Sequence, residues 1–407
     1  MSIVAETWHN FAISPFLVTI SDEVLDDLRS RIRATRWPDP APGEPWSQGT
    51  DLVFLRDLLA YWADGFDWPA QQRALNVFAH FTADLGDAAG ATVHFVHERA
   101  RSGAGFPLVL THGWPSTFAE MLPLVPLLTD PGAYGIPGPG FDVVIPSLPG
   151  YGFSPRPART GVDYRFVADR WHRLMRGLGY ERFGATGTDF GAGVAAYLGR
   201  HYPESVVGIH LSTLELSPVL DERSHPLSDE EQAFVVQRDQ WDAVERGYSA
   251  IQSTKPQTVG YGLNDSPAGL AAWLVEKWRS WSDSGGELDR AVPRDTLLTM
   301  LTVYWATQTN TSSMRDYYDN RWSSDRLRPG ERIDVPAGFA VFHHEYVQEG
   351  KPVRAYAERL FDVRRWTEMP RGGHFAAVEE PSLLARDIAA FFNSELGRSS
   401  GHTEAGG

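Results

Sequence analysis

The chain has 407 residues and no cysteine, and its 37 Lys and Arg against 52 Asp and Glu give a formal net charge of −15. Without Cys, disulfide scaffolds, thiolate metal sites, Fe–S clusters and thiol catalysis are excluded together. The acidic balance, with no basic cluster, excludes ordinary nucleic-acid binding. Hydrophobic residues make up 42% of the chain and 14 are Trp, so global disorder is excluded, and the length suggests two domains or one elaborated one.

The opening segment has no basic n-region, and His9, Asn10 and Ser14 break its apolar run. Nowhere is there a stretch of about 18 apolar residues. The expectation is a soluble, cytoplasmic protein with no membrane partner.

Taken in chain order, residues 1–90 read as a helical, Trp-rich extension. Ser21 before Asp22 and Glu23 is a helix start, and Leu25, Leu28 and Ile32 follow at helical spacing. A Pro-rich linker over 38–45 ends that helix, and further helices are expected near 55–62 and 71–81. Residues 91–213 alternate short apolar strands (92–96, 108–111, 143–146, 183–188, 206–211) with helical patterns (165–178, 192–201). That alternation predicts an α/β fold with a mostly parallel sheet. Residues 214–332 read as a helical insert, a lid, with Ser266 capping a helix that Pro267 opens. Residues 333–396 return to alternation, with strands at 338–342 and 366–369 and helices at 353–360 and 381–392; the polar 397–407 reads as a flexible tail.

The chemistry is concentrated at three places. Gly187-Thr188-Asp189-Phe190-Gly191 follows an apolar strand and opens a helix, the context of a nucleophile elbow with Asp at its centre. A carboxylate nucleophile forms an ester with an alkyl carbon, so the substrate must be an alkylating electrophile such as an epoxide or alkyl halide. The same residues also suit a surface Asp that caps the next helix. His112-Gly113-Trp114-Pro115-Ser116 follows the strand at 108–111, where an α/β-hydrolase loop donates an oxyanion-hole N–H. The donors would be the amides of Trp114 and Phe190; a tight loop stiffened by Pro115 is the plainer reading. Arg371-Gly372-Gly373-His374-Phe375 precedes the last helix, and the order nucleophile, acid, His is that of the fold. His374 would activate water. Glu345, with Glu349 next, is the carboxylate in the window after the strand at 338–342, and would orient His374. The His343-His344 pair lacks zinc-site spacing, so no metal and no cofactor is expected.

On these residues the chain resembles the microsomal-type epoxide hydrolase family, on the α/β-hydrolase fold with an eight-stranded, mostly parallel sheet. The resemblance runs through Arg36-Trp37-Pro38, Gln48-Gly49-Thr50-Asp51-Leu52, Tyr61-Trp62, Asp67-Trp68, Leu75-Asn76 and His94-Phe95-Val96-His97. It continues in the insert through Gly247-Tyr248-Ser249-Ala250-Ile251-Gln252, Thr254-Lys255-Pro256 and Leu263-Asn264-Asp265-Ser266-Pro267, and so covers nearly the whole length. It implies two lid tyrosines that bind the epoxide oxygen, matching Tyr248 and Tyr317, with neighbouring Tyr318 leaving the register open by one. It implies a substrate pocket that includes His112, Pro115, Phe190 and Phe375. One departure stands out: the family has Trp after the nucleophile where this chain has Phe190. The membrane anchor of the mammalian relatives has no counterpart, so a soluble form is implied. The partners would be a small apolar or aromatic epoxide and water, and a homodimer fits the reading.

Two rivals remain. A haloalkane dehalogenase shares the Asp elbow but needs indole or amide donors for halide; Phe190 and the lid tyrosines argue against it. A ligand-binding protein that kept the fold and lost catalysis would bind an epoxide mimic and release no diol. A dinucleotide-binding reading of Gly184-Ala185-Thr186-Gly187 fails on glycine spacing.

Overall fold

The apolar runs become strands because, buried on both faces, they need no polar alternation. In the computed structural model, which describes residues 11–86, 92–342 and 352–404, nine strands form one sheet in the order β1-β2-β3-β5-β4-β6-β7-β8-β9. They are β1 (Ile13–Phe16), β2 (His80–Asp84), β3 (Thr92–Glu98), β4 (Phe106–Thr111), β5 (Phe141–Pro146), β6 (Phe183–Gly187), β7 (Val206–Leu211), β8 (Ile333–Phe342) and β9 (Phe361–Met369). From β5 through β9 all pairings are parallel, while β1, β2, β3 and β5 pair antiparallel. The central strands are fully buried, as in Val143, Val144 and Ile145. Helix Phe190–His201 packs on β4, β6, β7 and β8, and Pro381–Glu404 packs on β7, β8 and β9.

The sheet has nine strands, one more than the expected eight, with β1 and β2 both supplied by the extension. The extension is therefore not helical alone. Its helices are Asp22–Arg33, Leu52–Asp64 and Trp68–Leu75, and then the chain turns into β2. The helix expected over 71–81 stops at Leu75, where Asn76 caps it with its N–H on the Gln72 carbonyl at 3.1 Å and ties its side chain to the segment before the first helix. Its Oδ1 accepts from the Val18 N–H and its Nδ2 donates to the Val18 carbonyl, both at 2.9 Å. β1 is mostly exposed and gave no burial alternation to read. At the other end, the last helix runs on to Glu404, past the 392 at which periodicity ended it. No helix among the described residues is long and apolar enough to cross a membrane.

The order β5-β4-β6 makes β4 the switch point, where chain direction across the sheet reverses; ligands bind beyond such strand ends. Thr111 at the end of β4 pairs with Gly187 at the end of β6. The loop after β4 and the turn after β6 are thus neighbours. Between β7 and β8 the chain inserts helices from Asp229–Glu245 to Arg315–Arg321.

Candidate active site

Asp189 holds φ +50° and ψ −129° on the turn between β6 and the next helix, a strained region for a non-glycine residue. The flanking glycines permit the turn. A Cβ on Gly187 would stand 2.2 Å from the Gly191 carbonyl, and one on Gly191 would stand 2.0 Å from the Thr111 oxygen.

The carboxylate is gripped by backbone. The Trp114 N–H donates to Asp189 Oδ1 at 2.8 Å, and the Phe190 N–H bonds the same carboxylate. These are the two amides named from sequence. His374 Nε2 stands 3.8 Å from Asp189 Oδ2. Burial raises the Asp189 carboxyl above the usual range, while the imidazole and the two amides pull it back.

His374 is nearly fully buried. Its N–H donates to the Trp281 carbonyl at 2.8 Å, and its ring meets the Trp281 ring edge-on at 5.0 Å. Glu345 lies outside the described residues. Two other carboxylates, the half-buried Glu379 and the buried Glu120, stand close to His374, and the sequence reading passed over both. Glu379 accepts backbone N–H bonds from Asp283 at 2.6 Å, Phe375 at 3.0 Å and Gly373 at 3.1 Å. It clips both residues flanking His374 to the end of helix Pro267–Trp281. Burial pushes Glu379 up to about 7, against those bonds and the His374 charge. Glu120 is fully buried and also pushed up to about 7 by burial, against Ser116 and His374. Its Oε1 has no hydrogen-bond partner among the described residues. The signal was one charged residue inside the apolar run Phe118-Ala119-Glu120-Met121-Leu122.

The inserted helices bring both named tyrosines over this carboxylate. Tyr248 lies parallel to the Trp114 indole, centroids 5.3 Å apart. Tyr317 meets Phe190 edge-on at 4.7 Å, Trp114 at 5.7 Å and Tyr248 at 5.7 Å. Tyr318 contacts Trp322 instead, at 6.5 Å, so Tyr317 is the one that faces the site. Burial raises the Tyr317 phenol well above its ordinary value, and Tyr248 and Asp189 add to the shift.

The remaining pocket residues divide. His112 is fully buried: its Nε2 accepts from the Leu148 N–H at 3.2 Å and its Nδ1 donates to the Gly113 carbonyl at 3.1 Å. Burial lowers its pKa to about 4, in keeping with that neutral tautomer. Both ring nitrogens serve the loop, so His112 braces the loop. The Pro115 carbonyl accepts from Trp278 Nε1 at 3.2 Å, and Phe375 stacks on Trp278 at 3.6 Å. These contacts tie the inserted helices to the sheet. A cavity of about 750 Å³ near Trp37, Trp46 and Ser266 is lined by none of the residues around Asp189.

Residues 13–121 match the family model described as the epoxide hydrolase N terminus, and 107–259 match the alpha/beta hydrolase fold. Epoxide hydrolase 1 of Oryctolagus cuniculus is 36% identical, over 93% of this chain and 88% of that protein. Juvenile hormone epoxide hydrolase 2 of Ctenocephalides felis is 33% identical, over 93% and 84%. Among solved structures, juvenile hormone epoxide hydrolase of Bombyx mori aligns with TM-score 0.81 and 28% identity, covering 95% of each chain. The epoxide hydrolase of Aspergillus niger aligns with TM-score 0.78 and 26% identity, over 94% of this chain and 96% of that one.

Proposed function

The chain belongs to the epoxide hydrolase family and is a hydrolase acting on epoxides, and from that premise we propose that it works through a covalent ester on Asp189. The observation that carries the reading is the convergence at Asp189. Two amides hold its carboxylate, His374 stands beside it, and the rings of Trp114 and Phe190 press against the two phenols.

Asp189 attacks an epoxide carbon, the C–O bond breaks, and Tyr248 and Tyr317 take up the developing alkoxide. His374 then takes a proton from water, whose oxygen adds to the ester carbonyl of Asp189. The oxygen held by the Trp114 and Phe190 amides becomes the oxyanion, and the diol leaves. The part of Glu345 is to orient His374. The helices over 214–332 act as the lid on a core of 91–213 and 333–396, with the extension over 1–90 packed beside them. The aromatic enclosure favours an apolar or aromatic epoxide. Such a protein works in solution in the cytoplasm.

The test is a single turnover in ¹⁸O-water with excess enzyme. The first diol should carry unlabelled oxygen drawn from Asp189, with label appearing on Asp189. Label in the first diol would mean direct attack by water and end the ester assignment. Asp189→Asn should lose turnover by at least about 10³-fold.

A further inference from the structure

Lys277 is a buried cation that the reaction so far leaves unused. It lies on helix Pro267–Trp281 and is only 5% exposed. Burying an ammonium is costly unless it is paired. Here Glu276 Oε2 stands 2.6 Å from Nζ and Glu245 Oε2 3.6 Å. The same Nζ lies 4.6 Å from the centroid of the Tyr248 ring and 5.8 Å from that of Trp281. A cation over an aromatic ring is held by the ring's electron density. A phenolate spreads negative charge into its ring, so this cation stabilises the ionised form of Tyr248 more than the neutral one. Among the described residues no cation lies over the Tyr317 ring, and the Tyr317 hydroxyl hydrogen-bonds Tyr248.

We propose that Lys277 is a positioning residue that makes Tyr248, rather than Tyr317, the phenol that protonates the epoxide oxygen. This rests on the assignment of Tyr248 as an oxygen-binding phenol. As the Asp189–carbon bond forms and the epoxide C–O bond breaks, the electron pair left on oxygen takes the Tyr248 proton. The phenolate then lies beneath the ammonium and accepts a hydrogen bond from Tyr317. Hydrolysis of the ester by water releases one proton, which restores the phenol. The charged and titratable groups around Tyr248 are Lys277 and Glu276 on helix Pro267–Trp281, Glu245 at the end of helix Asp229–Glu245, Tyr317 on helix Arg315–Arg321, and Asp189 and His374 beyond Trp114 and Trp281. Of these, Lys277 is the cation that favours the phenolate at close range, and the Tyr317 hydroxyl adds a hydrogen bond to it.

The test measures the rate of ester formation in single turnovers, with styrene oxide as the probe, against pH. Lys277→Met should slow the step about tenfold and move its alkaline limb up by about one pH unit, because a less acidic Tyr248 holds its proton longer. Lys277→Arg should keep both rate and limb near wild type. In a Tyr248→Phe background, Lys277→Met should cost nothing further; in Tyr317→Phe it should cost the full tenfold. Equal losses in both backgrounds with an unmoved limb would overturn the proposal. A Met variant that fails to fold leaves the Arg variant as the test, and loss of rate there would also overturn it. If Tyr248→Phe alone leaves ester formation unchanged, it is the assignment of Tyr248 that fails.

Discussion

Trp114 and Asp189 are joined by a 2.8 Å hydrogen bond from backbone N–H to Oδ1, while the Trp114 indole lies within 8° of parallel to the Tyr248 ring. One residue thus positions the Asp189 carboxylate with its backbone and the Tyr248 phenol with its side chain. Phe190 does the same on the other side, with its N–H on Asp189 and its ring against Tyr317. Aligned backbone dipoles fixed in this way need no reorganisation during reaction, and that is the main source of electrostatic catalysis.

Gly113 sits where this arrangement is tightest. A Cβ there would stand 2.3 Å from Asp189 Oδ1 and 2.4 Å from Asp189 Cβ. Gly113→Ala must push the carboxylate off the Trp114 amide. Ester formation should fall at least about 100-fold, close to the loss of one oxyanion-hole donor. The stability cost should stay within about 1–3 kcal/mol, typical of overpacking. Single-turnover kinetics with thermal unfolding reads both; an unchanged rate would show that the loop yields freely.

On the proposed mechanism His374 acts in the second half of the reaction and not in the first. His374→Ala should therefore still be alkylated and then stall. Intact-protein mass spectrometry should find an adduct equal to the full mass of the epoxide, and peptide mapping should place it at Asp189. Steady turnover at the wild-type rate would remove His374 from the mechanism.

The elbow was legible because its needs are local. Gly187, Asp189 and Gly191 are adjacent in sequence, and their steric demands act across the same turn. The helix that opens at Pro267 was legible for the same reason, since the Ser266 side chain caps it three residues on, accepting from the Gly269 N–H at 3.0 Å. What escaped depends on distant partners. The helix expected over 71–81 runs into the start of β2 because the tie at its true end, the Asn76 side chain bonded to Val18, spans 58 residues. Glu379 and Glu380 are adjacent in sequence, with nothing local to tell them apart. Only the fold brings Asp283 to Glu379 across 96 residues, while Glu380 pairs with the exposed Arg371. Tyr317 and Tyr318 cannot be told apart by spacing, and it is the rotation of their short helix that sends Tyr317 inward.

Glu379 supplies the acceptors for three backbone donors around His374. Glu379→Ala strands N–H groups that cost about 1–3 kcal/mol each when left unpaired and buried. The melting temperature should drop by several degrees. The loop carrying His374 should loosen, so ester hydrolysis should slow about tenfold or more while ester formation changes little. Rapid-quench measurement of the two steps separates them; equal slowing of both would mean that Glu379 serves general stability alone.

Glu120 gives the pH dependence its sign. Its pKa is raised from 4.5 to about 7 in the folded protein, chiefly by burial. Below about 4.5 both folded and unfolded chains hold the proton. Between there and about 7 the folded chain binds a proton that the unfolded chain has released, so stability falls as pH rises through that window. Glu120→Gln stays neutral throughout and removes this contribution. The variant should match wild type more closely at pH 4.5 and exceed it at pH 8, by an amount on the order of 3 kcal/mol at most. Denaturant unfolding of both proteins at the two pH values measures the difference directly. A variant less stable than wild type at pH 8 would mean that the buried carboxylate is better solvated or paired than its unpartnered Oε1 implies.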